Sequence, residues 1–286
     1  DFVSAFLQGD LEPGEQIACR PPPGYETLGD DGNHKVWRVL KPIYGMQQGG
    51  RRWQRSLFPW FTALGFRQCE ADNCVFAMTT AGDALYVGCY VDDLFILYLQ
   101  DGADSLYASF THKLTQRWEV EDEGEVADLL NIEISRQSAS VTLRQTAYID
   151  KLTKEWFPEG PPAHVQLNSV PHPENIRELV IHATGEGAAP ADPTLVNKYR
   201  KLVGALLYAA TSTRPDIAYA TSMLCRAMSK PTDELLAAAL RVLAYLSRHR
   251  HIGLRYTPCT RPLEGFADAD WAVRHSQSGF VFQLGR

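Results

Sequence analysis

Apolar positions recur along this chain with two different periods. Over residues 50–64, Trp53, Leu57, Trp60, Phe61 and Leu64 return every three to four positions, the spacing of a helix with one buried face. VFAMTT and ALYVGCYVDDLFILY are rich in β-branched and aromatic residues and read as strands, with Asp92 and Asp93 at the bend between the last two. A second helix is predicted over ADSLYASFTHKLTQRW, where Leu106, Phe110 and Leu114 share a face, and a second strand pair over DLLNIEISR and SVTLRQ. DFVSAFLQGD reads as a strand end or the start of a short helix, and VWRVLKPIYGM as strand-like. The Pro- and Gly-rich CRPPPGYETLGDDGNHK between them reads as a loop. Strands interleaved with helices and paired antiparallel describe an α+β layout rather than a doubly wound parallel sheet.

The pattern changes in the second half. Residues 158–193 are dense in proline and poor in large apolar residues, so a long loop or linker is expected. The stretch that follows is helical in pattern, broken at Pro215 and Pro231, and GLRYTP, LEGFADADW and SGFVFQL return to strands. The chain starts on Asp1 and stops in mid-pattern, which reads as a piece of something longer; the Asp1 backbone is therefore expected to fray.

Composition narrows the function classes. With 28 Lys and Arg against 34 Asp and Glu, the net charge of −6 does not advertise nucleic-acid binding, so any grip on phosphates must come from a local basic face. His249 and His251, in the basic SRHRHIG, suit a helix C-terminus or a phosphate. No apolar run approaches the ~20 residues of a membrane span. The six cysteines, Cys19, Cys69, Cys74, Cys89, Cys225 and Cys259, form no C-x-x-C pair, which argues against zinc and fits a reducing compartment.

The sharpest chemical signal is CYVDDLFIL, residues 89–97. Two adjacent carboxylates pressed between apolar runs raise each other's pKa and destabilise the fold unless a cation neutralises them. A hairpin turn without that purpose favours Asn-Gly or Asp-Gly. Mg2+ takes one or two carboxylates plus substrate phosphates, so the pair reads as half of a site for phosphoryl chemistry. Two ions about 3.5–4 Å apart need a third carboxylate, for which Asp1 is the candidate.

Asp1, Ala5 and Phe6 in that spacing, followed by Tyr90-Val91-Asp92-Asp93, resemble motifs A and C of reverse transcriptases. DFVSAFLQGDL, PPGYE, LKPIYGMQQGGRRW, LGFRQCEADNCVF, YVDD and LLNIEI, in that order, resemble the polymerase of copia-type LTR retrotransposons. YRKLVGALLYAATSTRPDIAYATSMLCRAMSKPT, RVLAYL and GFADADW resemble the part of the same polyprotein that leads into RNase H.

The resemblance implies partial fingers and palm over 1–135, with an antiparallel sheet carrying helices on one face. It implies a thumb-like segment and linker over 136–190, a helical connection over 191–258, and the first strands of an incomplete RNase H-like domain over 259–286. Asp1, Asp92 and Asp93 match the metal-binding carboxylates, for two Mg2+ ions or Mn2+ in their place. Phe6 matches the residue that excludes a ribose 2′-OH. Gln48 matches the glutamine of motif B, where the family's Gln-Ala-Pro-Arg is Gln48-Gly49-Gly50-Arg51, implying a looser loop. Arg51 and Arg52 are candidates for phosphates, and Tyr90 for the primer terminus. Asn131 stands where the primer-grip hairpin usually has glycine, and tolerates a left-handed backbone. Asp216, in TRPDIAYA, is expected to cap the helix after Pro215. Asp268 matches the first metal-binding aspartate of RNase H, with Asp270 beside it and the other carboxylates absent.

The implied partners are an RNA template, a DNA primer and product, dNTPs and the rest of the Pol polyprotein, including integrase and the remainder of RNase H. No membrane is implied. The location implied is intracellular, in cytoplasm, virus-like particles or nucleus. The competing reading is a truncated or degenerate remnant that at most binds nucleic acid. A cyclase-like two-metal palm fails on Phe6, Gln48 and the downstream blocks.

Overall fold

The structure, a computed structural model, describes residues 1–162, 170–187, 190–258, 262–269 and 278–283. It divides into two compact units, Asp1–Glu125 and Val126–Arg286, each with its own hydrophobic core. It is a mixed helix and sheet protein in which, among the described residues, the strands pair antiparallel.

In the first unit a short helix, α1 (Ala5–Gln8), precedes the two-stranded ladder of β1 (Ile17–Cys19) and β2 (Trp37–Val39). The strand-like run beyond β2 stops early, because Pro42 has no N–H to donate and Gly45 turns the chain at φ 90°. Helix α2 (Gly49–Ala63) then leads to a sheet in the order β3 (Arg67–Gln68), β4 (Val75–Thr80), β5 (Asp83–Tyr90) and β6 (Asp93–Tyr98), closed by α3 (Leu106–Arg117). The period of two decides which face is covered. Phe76 pairs with Val87 and, with Leu85, is fully buried against Leu57 and Phe61 of α2 and Phe110 of α3. Tyr86 and Leu97, paired on the other face, stay exposed. Aromatic edges lock this core, with Phe2 4.8 Å from Trp53 and Trp53 5.0 Å from Trp118.

The second unit holds β7 (Asp128–Leu129), β8 (Ile132–Gln137), β9 (Ser140–Arg144) and β10 (Leu254–Tyr256) in the sheet order β10-β9-β8-β7. Asn131 at the β7–β8 turn adopts φ 60°, as expected, and Leu130 beside it is also left-handed at φ 54°. The helices are α4 (Thr146–Trp156), α5 (Ile176–Thr184), α6 (Pro193–Ser212), α7 (Ala218–Cys225) and α8 (Asp233–Arg248). Ile149 of α4, Val180 of α5, Leu206 of α6, Leu224 of α7 and Val242 of α8 share one core. Asp192 caps α6 through the Leu195 N–H and Thr232 caps α8 through the Leu235 N–H, both at 3.3 Å. A separate ladder, β11 (Glu264–Ala269) with β12 (Ser278–Gln283), completes the described residues.

Three expectations change. The Pro-rich stretch 158–193 contains α5, because Ile176, Val180 and Ala183 supply a narrow apolar stripe that composition averaged over the segment conceals. Its core is shared with the helices after residue 190, so no packing boundary falls there, and β8 runs across residue 135. Asp216 caps no helix. It receives Arg214 Nε at 3.0 Å and Nη2 at 2.7 Å, and that guanidinium is fully buried, with Nη1 donating to the His249 carbonyl at 3.0 Å.

The five cysteines among the described residues are free, and no helix among those residues is long and apolar enough to cross a membrane.

Candidate active site

The connection from β5 to β6 is only Val91 and Asp92, closed by the Tyr90–Asp93 pair. Val91 sits at φ 57°, a conformation that a β-branched side chain rarely adopts. Such strain persists only where the surroundings over-determine it. Both turn carbonyls are held: Trp53 Nε1 of α2 donates to Val91 O at 2.7 Å, and the Phe2 N–H donates to Asp92 O at 2.9 Å. The second bond draws the segment containing Asp1 alongside the Asp92 turn.

Asp1 itself is pinned rather than frayed. Its nitrogen donates to Glu121 O at 2.8 Å, its carbonyl accepts the Glu121 N–H at 2.8 Å, and Val3 N–H donates to Glu119 O at 3.0 Å. The acidic run 119–128 thus supplies the backbone that anchors Asp1.

The aspartates differ in setting. Asp93, at the start of β6, is half-buried. Burial pushes its carboxyl above the usual range, and the Asp92 and Glu123 charges add to that. Asp92 Oδ2 accepts a hydrogen bond from the Tyr44 hydroxyl at 3.2 Å. The Tyr44 hydroxyl is in turn held protonated above its ordinary range, by burial first and then by Asp92.

Tyr44 also stacks on Phe6, with centroids 4.5 Å apart and planes 20° apart. A Cβ on Gly49 would stand 3.2 Å from Phe6 Cδ2 and 3.3 Å from Ile43 O, so glycine there permits a close approach. The expected looseness of Gln48-Gly49-Gly50 is therefore not found; Gly49 is buried and starts α2. Gln48 is half-buried at the helix N-cap, its carbonyl accepting the Arg52 N–H at 2.9 Å and its side chain capping nothing.

Arg51 is exposed on the first turn of α2, and Tyr90 is 57% exposed beside the turn. Arg52 is not free for phosphates. Its Nε and Nη2 each donate to Glu15 at 2.9 Å, and Nη1 donates to Glu12.

The donor set of Asp1, Asp92 and Asp93 is oxygen only, which fits a hard divalent cation that borrows further ligands from phosphates. Among the described residues no three His, Cys, Asp or Glu side chains stand close enough to form a ready metal cage. Asp268 lies on β11, exposed and opposite Gly279, accepting its neighbour Ala269 N–H at 2.9 Å; Asp270 lies outside the described residues.

Tyr44 is the site residue that sequence reasoning missed. Its only signal was position, four residues before Gln48 in a run read as strand.

Residues 1–157 match the family model described as reverse transcriptase (RNA-dependent DNA polymerase). The chain belongs to this reverse transcriptase family. It is 32% identical over 292 residues to the retrovirus-related Pol polyprotein from transposon RE1 of Arabidopsis thaliana, covering 100% of this chain and 18% of that protein. Identity is 31% to the corresponding RE2 polyprotein of the same plant, again over 100% of the chain and 19% of the relative. It is 28% to the Pol polyprotein from transposon TNT 1-94 of Nicotiana tabacum, over 99% of the chain and 21% of the relative. The resemblance to copia-type Pol polyproteins therefore extends along the whole chain, which spans about a fifth of their length. No solved structure matches this chain.

Proposed function

We propose that this reverse transcriptase chain is the polymerase part of a copia-type Pol polyprotein, adding dNTPs to a DNA primer on an RNA template. The observation that carries the reading is the 2.9 Å bond from Phe2 N–H to Asp92 O, which joins the Asp1 segment to a strained Asp-Asp turn.

Asp1, Asp92 and Asp93 would hold two Mg2+ ions, or Mn2+. When bound, such ions stabilise charge developing on a transferring phosphate and activate the attacking hydroxyl. The chain's own contribution is positioning. Trp53 and Phe2 fix the turn, and the Tyr44 hydroxyl aims the Asp92 carboxylate. Phe6, braced by the Tyr44 ring and by Gly49, walls the sugar pocket where a ribose 2′-OH would need room. Gln48 and the exposed Arg51 are assigned to the incoming nucleotide, and Tyr90 to the primer end. In this reading the first unit is palm with part of the fingers. Helices α4–α8 are thumb and connection, and β11–β12 with Asp268 open an RNase H-like domain whose site is incomplete. Its partners would be the template, primer, dNTPs and neighbouring Pol domains, and its location intracellular.

A second reading, a remnant that binds nucleic acid without polymerising, is favoured by the absence of a ready three-carboxylate cage among the described residues.

The test is sugar selection. Phe6→Ala is expected to admit ribonucleotides while retaining most dNTP incorporation. Loss of both in parallel would make Phe6 a packing residue. Burial of Phe6 is partial, so its loss is expected to destabilise by less than the ~3–5 kcal/mol of a fully buried Phe→Ala, and a melting curve controls for it.

A further inference from the structure

Tyr44 touches both the ring assigned to the sugar pocket and a candidate metal ligand: it stacks on Phe6, and its hydroxyl donates to Asp92 Oδ2 at 3.2 Å. A tight turn puts it there. The Met46 N–H donates to the Ile43 carbonyl at 3.3 Å, and Gly45, third in that turn, takes φ 90°. A left-handed third residue marks a type II turn, which glycine meets without strain. Tyr44, the second residue, is 52% exposed, so its ring has open space to move into.

Phe6 has less freedom. Its backbone follows Ser4, held at a left-handed φ of 50°, and Phe2 and Val3, whose N–H groups are tied to Asp92 O and Glu119 O. The ring lies so close to the start of α2 that a Cβ on Gly49 would stand 3.2 Å from Phe6 Cδ2. An atom that presses on this ring meets backbone at its edge and the Tyr44 ring, 4.5 Å away, on its face. Of the two, the half-exposed tyrosine yields.

A tyrosine is rigid from ring to oxygen, so displacing the ring displaces the hydroxyl. The bond to Asp92 is already long for O–H···O, and a shift of about half an ångström ends it.

We propose that Tyr44 is a specificity-determining residue: displaced through Phe6 by a ribose 2′-OH, it releases the Asp92 carboxylate. A ribonucleotide is then rejected in the metal-dependent step as well as by lack of room, whereas a deoxynucleotide leaves Phe6, Tyr44 and Asp92 in register. The inference rests on the polymerase reading and deepens it. Phe6 makes the steric contact, and Tyr44, a positioning residue, carries that contact to the carboxylate.

The experiment compares dTTP with UTP on poly(rA)/oligo(dT), using the chain within its natural reading frame and its Tyr44→Phe variant, which keeps the stack and removes the hydroxyl. Mn2+ affinity is measured by EPR on a dideoxy-terminated primer, where no transfer follows. Single-turnover incorporation gives a maximal rate and an apparent Kd for each nucleotide. In the parent, Mn2+ is expected to bind about tenfold tighter with dTTP than with UTP, the scale on which an outer partner tunes a metal ligand. In Tyr44→Phe the difference should vanish, because the dTTP complex loses affinity that the UTP complex never had. The dTTP rate should likewise fall about tenfold while the UTP rate changes little. The apparent Kd of each nucleotide should hold, since Phe6 still walls the pocket, and so should the melting temperature, since the swap is isosteric at a half-exposed site. Equal Mn2+ affinity with the two nucleotides in an active parent overturns the proposal alone. So does a Tyr44→Phe rate loss of the same factor for both, which would make the hydroxyl an aid to Asp92 that is blind to the sugar. A parent that incorporates neither nucleotide overturns the polymerase reading and this inference with it.

Discussion

Asp93 shows how the site can be read from one group. Its carboxyl titrates above the unfolded value, through burial first and the Asp92 charge second. The folded chain therefore keeps this proton over a range where the unfolded chain has lost it. Stability falls as pH rises through that window, and the penalty persists at neutral pH. Asp93→Asn is expected to raise the melting temperature at neutral pH, and the gain should vanish on acidification below the carboxylate range. An equal gain at both pH values would mean the effect is not one of charge. The paired aspartates stood out in the sequence because adjacent carboxylates between apolar runs call for a cation, and Phe6 was singled out only by the resemblance to motif A. Tyr44 was not, because an aromatic in a turn-rich run carries no period to mark its target. Nor could the sequence separate Arg51 from Arg52: the carboxylates of Glu12 and Glu15 that claim Arg52 lie far upstream and are brought to it only by folding.

At the scale of elements, TRPDIAYA shows a motif of which half was read correctly: Pro215 opens a 3-10 turn, Pro215–Ile217, that runs into α7, but Asp216 caps neither. Folded, Asp216 is the counter-charge of Arg214, which is buried with no exposed side-chain surface and further engaged by the His249 carbonyl at the end of α8. Burial alone would push the Asp216 carboxyl up. The Arg214 hydrogen bonds and charge outweigh it, with help from the Tyr245 hydroxyl, and the net shift is downward. The pair's stabilisation is thus present above the unfolded carboxylate value and lost as pH falls through the lower folded one. Asp216→Ala leaves Arg214 buried without a partner and is expected to destabilise by about 3–5 kcal/mol, read as a lower denaturation midpoint at neutral pH. A drop no larger than that of a surface substitution would contradict this. Long periodic elements were read well: α2 was predicted over 50–64 and spans Gly49–Ala63, and α3 falls within its predicted stretch. Helix α5 was hidden by prolines around it, and β2 was overextended through a proline that cannot donate to a ladder.

At the scale of the whole molecule, the two cores were only partly legible. Hydrophobic pattern placed most elements, but which of them share a core depends on tertiary contacts. The helices from α4 to α8 accordingly ignore the break expected near residue 190. The family model matches residues 1–157 and the similarity to Pol polyproteins reaches the whole chain, while the geometry concentrates the candidate chemistry in the first unit. The central claim is polymerisation that depends on the Asp-Asp turn. The direct measurement is primer extension on poly(rA)/oligo(dT) with Mg2+, using the chain within its natural reading frame and its Asp92→Asn variant, with hybrid binding measured on both. The expected result is dTMP incorporation that Asp92→Asn abolishes while hybrid binding persists. Incorporation that survives Asp92→Asn, or none from the unaltered protein despite hybrid binding, would contradict the account.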